Sequence, residues 1–332
     1  MKAIVCTGYG SPDVLQFTAT ATPSPADDEV LIKVCAASVN PLDWGTLQGP
    51  WVVRLLSGGL FAPKHKILGA DIAGRVEKVG RKMTQFRAGD EVFGGLFAGL
   101  FGARGLGGFA EYVCTPPDKL APKPANLSFE QAAAVPIAAI TALQALRDKG
   151  RIQRGQKVLI DGASGGVGTF AVQIAKSFGA QVTAVCSTRN LKTAQSIGAD
   201  HVIDYTQQDF TQSGERYDLI IGANAHHSIF DYRRALRPNG SFIMVGGAPQ
   251  RMLQFLLIAP LLSLLGSRKM GTVLAKINTN DLVFLKDLLE AGKLVPVIDR
   301  RYPLSDVADA MRYLAEGHAQ GKIVITVQHG NL

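Results

Sequence analysis

The sequence predicts an α/β protein in which a doubly wound parallel sheet is inserted into a β-rich domain, and three observations predict it. From residue 155 onward, short apolar runs of strand type alternate with segments of helical periodicity, which is the pattern of βαβ units. The first 125 residues are instead β-rich, with strand-like runs at 30–39, 72–79 and 109–114 separated by glycine turns and no dominant helix. After the alternating part comes a tail of two helices and a strand, 282–327, which is expected to rejoin the first part. A chain of 332 residues has room for two such domains. Their expected bounds are 1–125 with 270–332 for one, and 126–269 for the other. Pro116, Pro117, Pro122 and Pro124 mark the composition change between them, and Ser128-x-x-Gln131 is a capping-box signature opening a helical run to Leu146.

The stretch 157–168 carries the most chemistry. Residues 157–161 form an apolar strand, broken by Gly162-Ala163-Ser164-Gly165-Gly166-Val167-Gly168, after which apolar residues recur at helical spacing up to Phe178. Gly179 stands where a helix C-terminal glycine belongs. Strand, glycine turn and helix together form a pyrophosphate cradle, because bare backbone N–H groups and the helix N-terminus both favour negative charge. The turn is a variant of GxGxxG, with Ala163 at the first glycine position and Gly165 and Gly168 at the other two. Further strands are expected at 202–203, 217–221 and 241–245, the last ending in Gly246-Gly247, with helices at 191–198 and 229–236.

After the strand at 181–186, an NAD site would carry Asp or Glu to accept from the ribose 2′-hydroxyl. This chain has Ser187-Thr188-Arg189-Asn190 and no acid before Asp200. A hydroxyl and a guanidinium suit a 2′-phosphate, so NADPH is expected over NADH. The plainer alternative is that Ser187 and Arg189 merely open the next helix.

The net charge of +8 is spread along the chain, with no basic run interleaved with aromatics, so a nucleic-acid partner is not expected. Cys6, Cys35, Cys114 and Cys186 are too scattered for a metal knuckle and read as reduced, largely buried thiols in a cytoplasmic protein. Because residues 1–6 read as a strand, no signal peptide is expected. One apolar segment, 252–265, is about fourteen residues long against about twenty needed to span a bilayer. It reads either as a buried cleft wall or dimer face, or as a peripheral membrane contact flanked by Arg251, Arg268 and Lys269.

Motifs in the right order run nearly from end to end: Ser38-Val-Asn-Pro-Leu-Asp43, Gly69-Ala-Asp-Ile-Ala-Gly74, Gly89-Asp-Glu-Val-Phe-Gly94, Gly107-Gly-Phe-Ala-Glu-Tyr112, Ala133-Ala-Val-Pro136, Thr141-Ala-Leu-Gln-Ala-Leu146, the glycine turn, Ser196-Ile-Gly-Ala-Asp200 and Gly321-Lys-Ile-Val-Ile325. By these motifs the sequence resembles the quinone oxidoreductase, zeta-crystallin-like branch of the medium-chain dehydrogenase/reductase superfamily. The segments 252–265 and 295–303 resemble a subgroup of enone reductases and the chloroplast envelope homologue. The resemblance implies a Rossmann domain inserted into a GroES-like domain built from both chain ends, and a homodimer. It implies cofactor contacts from Thr141, Ser164, Gly165, Gly166, Val167, Gly168, Ser187, Arg189, Tyr205, Gly246 and Lys322. Near the reacting end it implies Asn40, Asp43 and Trp44. Asn40 either donates to the substrate oxygen or holds its turn; Asp43 either lines the cleft or caps the next turn.

Zinc-dependent relatives place their ligands where this chain reads Asn40-Pro-Leu-Asp43 and Gly69-Ala-Asp71. Without the thiolate and the imidazole the remaining carboxylates are a poor zinc set, so no metal is expected. Lacking a Lewis acid, the enzyme is expected to reduce quinones or α,β-unsaturated carbonyls, in which a delocalised product anion needs only mild hydrogen bonding. The alternatives are reduction of simple aldehydes or ketones, and a non-catalytic NADPH-binding or membrane-associated protein.

Overall fold

Residues 30–39 read Val-Leu-Ile-Lys-Val-Cys-Ala-Ala-Ser-Val, and nearly all are buried, so this strand must be covered on both faces. In the computed structural model, which describes residues 1–51, 54, 59, 63, 66–97, 106–247, 249–264 and 266–329, it is the centre of a seven-stranded sheet. Two compact units result, one of residues 1–140, 276–291 and 296–332, the other of residues 141–275 and 292–295.

The first unit begins with a hairpin of β1 (Lys2–Cys6) and β2 (Leu15–Ala19). Its main sheet contains β3 (Val30–Val39), β4 (Asp71–Val79), β5 (Glu91–Gly95), β6 (Tyr112–Thr115) and β7 (Leu120–Pro122). It is completed by β14 (Ile298–Pro303) and β15 (Lys322–Thr326), in the order β14-β15-β3-β4-β5-β7 with β6 also on β3. The C-terminal β15 pairs antiparallel with β3, so the two chain ends share one sheet. Helix α1 (Pro41–Gln48) follows β3 directly, and α2 (Phe129–Ala133) opens on the expected capping box, Ser128 Oγ accepting from Gln131 N at 3.2 Å and Ser128 N donating back to Gln131 Oε1 at 3.0 Å. Helix α3 (Pro136–Leu143) passes into a π-helical turn, Gln144–Lys149.

The second unit alternates as the sequence predicts: β8 (Lys157–Asp161), α4 (Gly166–Ser177), β9 (Gln181–Cys186), α5 (Leu191–Ser196), β10 (His201–Asp204), β11 (Tyr217–Gly222), α6 (Ile229–Ala235), β12 (Leu236–Met244), α7 (Pro249–Leu264) and β13 (Lys269–Thr272). All strand pairs are parallel, and the order β10-β9-β8-β11-β12-β13 is the 3-2-1-4-5-6 order of a dinucleotide-binding sheet. The core on one face is aromatic, with Tyr232 and Phe242 rings 4.2 Å apart and Phe242 and Phe255 rings 4.8 Å apart. Helices α8 (Thr279–Glu290) and α9 (Val307–Ala315) return to the first unit.

Three expectations shift. The unit boundaries fall after Ile140 and Ala275 rather than after 125 and 269. Residues 126–140 are tied to the first unit because Ile137 N donates to Asp71 Oδ1 at 2.9 Å and Arg301 pairs with Glu130 at 2.6 Å. Strand β13 was not expected, since Lys-Met-Gly-Thr has one large apolar residue and no readable period. Residue 236 begins a strand rather than ending a helix. Within the glycine-rich stretch 94–108, positions 98–105 lie outside the described residues.

Candidate functional site

The register of the parallel sheet places Asp161, Gly222, Met244 and Thr272 in one row, so the segments after β8, β11, β12 and β13 leave the same sheet edge. After β8 the chain turns at Gly162, whose φ of +85° is left-handed and whose N–H, with that of Ala163, donates to Val185 O. The tight-turn glycine is therefore Gly162, one residue before the position given by the GxGxxG register. A side chain on Gly162 would also meet Asn224 Cβ at 2.7 Å.

The other glycines divide their roles. A Cβ on Gly168 would lie 2.1 Å from Gly162 O and 2.8 Å from Ala163 Cα, so this glycine lets α4 pack against the turn. A Cβ on Gly165 would meet nothing closer than 3.7 Å, so no protein group requires that glycine. Its bareness keeps backbone open at the N-cap of α4, where the N–H groups of Gly166, Val167 and Gly168 have no intrahelical acceptor. This is the cradle a pyrophosphate needs, and the residues fit it. Ser164, Gly165, Gly166 and Val167 are half-buried beside it.

Ser187 and Arg189 follow β9 on the same edge, Arg189 exposed. Asn190, which sequence reasoning passed over, is buried and donates from Nδ2 to Ser187 Oγ at 3.1 Å. That bond uses an acceptor site of the hydroxyl and leaves its proton for an outside acceptor. Asn190 Oδ1 is itself buried without a partner. Asp204, at the end of β10, accepts from Thr188 Oγ1 at 2.5 Å and from Thr206 Oγ1 at 2.7 Å, and the Thr188 bond heads the causes that hold its carboxyl below the usual range. Tyr205 beside it is 61% exposed. Gly246 follows β12, its N–H on Gly222 O at 3.1 Å. Asp161 is fixed from below by Tyr232, whose buried hydroxyl donates to Asp161 Oδ2 at 2.5 Å; burial pushes this carboxyl up. Thr141 lies in the last turns of α3, half-buried.

The first unit holds a different constellation. At the carboxyl end of β3, Ser38 Oγ and Asn40 Nδ2 both donate to Asp71 Oδ2, at 2.8 and 2.9 Å. Lys322 on β15 donates from Nζ to Asn40 Oδ1 at 2.5 Å and lies 3.4 Å from Val39 O and from Asp71 Oδ2. Asp43 accepts from Asn40 N at 2.9 Å and Gly69 N at 3.1 Å. Ser38, Asp43 and Asp71 are 0% exposed, and Asn40 and Lys322 3%. Burial, with Asp71 nearby, pushes the Asp43 carboxyl up to about 7; burial pulls the Lys322 ammonium down, against the opposing pull of Asp71.

This geometry favours one of the two readings of Asn40 and of Asp43 and gives Lys322 a structural role. The Asn40 amide is committed, Nδ2 to Asp71 and Ser38 O and Oδ1 to Lys322, so it holds the turn rather than offering a free donor. Asp43 caps α1 and pins Gly69. Lys322 neutralises the buried Asp71 carboxylate. Trp44 is half-buried against the core of the first unit. The expected cofactor residues other than Lys322 thus belong to the second unit, and Asn40, Asp43, Trp44 and Lys322 to the first.

Two family descriptions match the chain. Residues 26–125 match the family described as alcohol dehydrogenase GroES-like domain, and residues 197–325 the one described as zinc-binding dehydrogenase. A 2-methylene-furan-3-one reductase of Solanum lycopersicum is 36% identical over 98% of this chain and 79% of its own length. The chain belongs to the medium-chain dehydrogenase/reductase superfamily, in its quinone-oxidoreductase-like branch. A chloroplastic NADPH-dependent alkenal/one oxidoreductase of Arabidopsis thaliana is 34% identical over the same shares of the two chains. The solved structure of a quinone oxidoreductase from Coxiella burnetii aligns with a TM-score of 0.85 and 32% identity over 99% of each chain.

Proposed function

We propose that the protein is an NADPH-dependent reductase of quinones or α,β-unsaturated carbonyls. The observation that carries this is the bare, unfilled backbone at Gly165 and α4, on the same sheet edge as Ser187 and Arg189, in a chain matching an NADPH-dependent alkenal/one oxidoreductase and a quinone oxidoreductase over nearly its whole length. When bound, NADPH supplies the hydride. The N–H groups of Gly166 to Gly168 would take the pyrophosphate, and the Ser187 hydroxyl and Arg189 guanidinium the 2′-phosphate. With the Asn40 amide and the Lys322 ammonium committed, neither offers a proton to substrate, and solvent is the donor in this reading. Positioning then supplies most of the rate.

The reading is metal-free. Where the resemblance places zinc ligands, Asp71 already accepts from Ser38, Asn40, Ile137 N and Lys322, and a divalent ion would face an ammonium. These residues do not fit a zinc ion, and exhaustive chelation is expected to leave turnover unchanged. The four thiols are free, and burial pushes Cys114 and Cys186 up to about 11.

The apolar segment enters as a homodimer face. Phe255 and Ala259 of α7 are buried, and Leu257, Leu261 and Leu264 are 69%, 56% and 85% exposed in the single chain. At 100° per residue these three share one side of the helix, an apolar face that a second copy would cover. Weak membrane contact is the second role. No helix among the described residues is long and apolar enough to cross a membrane.

The deciding experiment follows NADPH oxidation with 1,4-quinones, 2-alkenals and saturated ketones. Turnover of the first two, with saturated ketones at least tenfold slower, is expected; a preference for saturated ketones would overturn the reading.

A further inference from the structure

Opposite the glycine turn, at the amino ends of the parallel strands, lies a second cavity of about 530 Å³. Gln156 just before β8, Asp218 near the start of β11, Ser241 of β12 and Lys269 at the start of β13 line it. The register row Val158–Leu219–Ser241–Lys269 is three residues from the row ending at Asp161, or about 10 Å at 3.3 Å per residue. This cavity is therefore separate from the cofactor cradle of the same unit.

Its charge is unbalanced. Three cations line it, Lys149, Arg151 and Lys269, and no ion pair to any of them occurs among the described residues. The two carboxylates in its wall are already taken. Asp148 is held by Arg147 through bonds of 2.6 and 3.0 Å. Asp218 is held by Arg237 at 2.9 and 3.1 Å and by Lys157 N at 2.8 Å. Three positive charges consequently face the cavity without compensation.

The backbone adds a second, independent sign. Arg151 (φ +50°) and Asn239 (φ +63°) are the only non-glycine residues in the left-handed region among the described residues, and both line this cavity. Asparagine tolerates that conformation; arginine does so rarely, and glycine would serve a purely structural turn better. The π-helical turn Gln144–Lys149, closed by Gly150 N on Ala145 O at 2.8 Å, sets Lys149 and Arg151 at the rim. Outliers and π-turns of this kind gather at functional sites.

We propose that this cavity binds a small polyanion carrying two or more carboxylate or phosphate groups, held by Lys149, Arg151 and Lys269. Its volume is ample for a tricarboxylate or a sugar phosphate. Binding would be independent of NADPH and weakened by salt.

The test uses the full-length protein saturated with NADPH, so that the cradle is filled, and titrates citrate and inorganic pyrophosphate in separate calorimetric arms against sodium chloride at matched ionic strength. Saturable binding of either probe is expected, citrate alone marking a carboxylate ligand and pyrophosphate alone a phosphate ligand. The variant Lys149→Ala/Arg151→Gly/Lys269→Ala should bind the probe at least tenfold more weakly with unchanged NADPH affinity; its glycine accepts the left-handed turn, so folding is preserved. No binding beyond the chloride control, or equal binding by the variant, would overturn the proposal.

Discussion

Replacing Lys322 by Met tests the buried network most directly, because methionine keeps the unbranched stem and removes only the charge. The ammonium is 3% exposed and Asp71 0%, so the change leaves an ionised carboxylate with no cation in a dry site. Removing one partner of such a pair costs about 3–5 kcal/mol. Asp71 keeps three donors, Ser38 Oγ, Asn40 Nδ2 and Ile137 N, which argues for the lower end. Against this, Asn40 Oδ1 loses its 2.5 Å donor, and an unsatisfied buried acceptor costs about 1–3 kcal/mol. The expected loss is thus about 4 kcal/mol, read as a fall in the urea midpoint of at least about 1 M at unchanged slope. Lys322→Met/Asp71→Asn removes both charges and should recover more than 1 kcal/mol over the sum of the single changes, since paired removal of a buried ion pair is often nearly neutral. A single variant within about 0.5 kcal/mol of wild type, the range of ordinary surface changes, or a strictly additive double variant would refute the reasoning.

Three further outcomes are expected. Arg189→Ala should weaken NADPH binding by about 1.5–3 kcal/mol and leave NADH nearly untouched, with cofactor Kd values as the check; equal losses would remove Arg189 from the phosphate site. Asp43, with its carboxyl pushed up to about 7, contributes stability that is complete below its ordinary value near pH 4 and lost as pH rises through about 7. Asp43→Asn should therefore be less stable at pH 5 yet flat in Tm between pH 5 and 8 where wild type declines, and parallel profiles would contradict the assignment. Leu257→Asp with Leu261→Asp should turn a dimer into monomers in sedimentation while leaving flotation on acidic vesicles a minor effect; an unchanged sedimentation profile with lost flotation would give the face to lipid.

The sheet of the second unit was legible because each buried parallel strand is a continuous apolar run and each helix shows its own period. Lys269–Thr272 escaped because an edge strand with one large apolar residue carries no period. The glycine turn was legible as a class but not in register: Gly162 and Ala163 look interchangeable until the left-handed φ assigns the turn to Gly162. Asn190 gave no signal, since its part is to orient the hydroxyl of Ser187 rather than to meet a ligand. The Lys322 network was illegible for a different reason. Its members are 282 and 251 residues apart in sequence, and only the antiparallel pairing of β15 with β3 brings them together.

That network bears on the choice of substrate. A zinc ion with three protein ligands keeps one position open and can polarise a carbonyl there. The Lys322 ammonium has three protons and three acceptors around it, Asn40 Oδ1, Asp71 Oδ2 and Val39 O, and so has no donor left for a substrate. It balances buried charge but cannot act as an electrophile. Hydride acceptors that carry their own electron sink, such as the conjugated carbonyl of a quinone or an enone, need no such electrophile. A Lys322→Met variant that remains folded should accordingly keep its preference for quinones over ketones even where its turnover falls, because the preference rests on the substrate's conjugation and not on this cation.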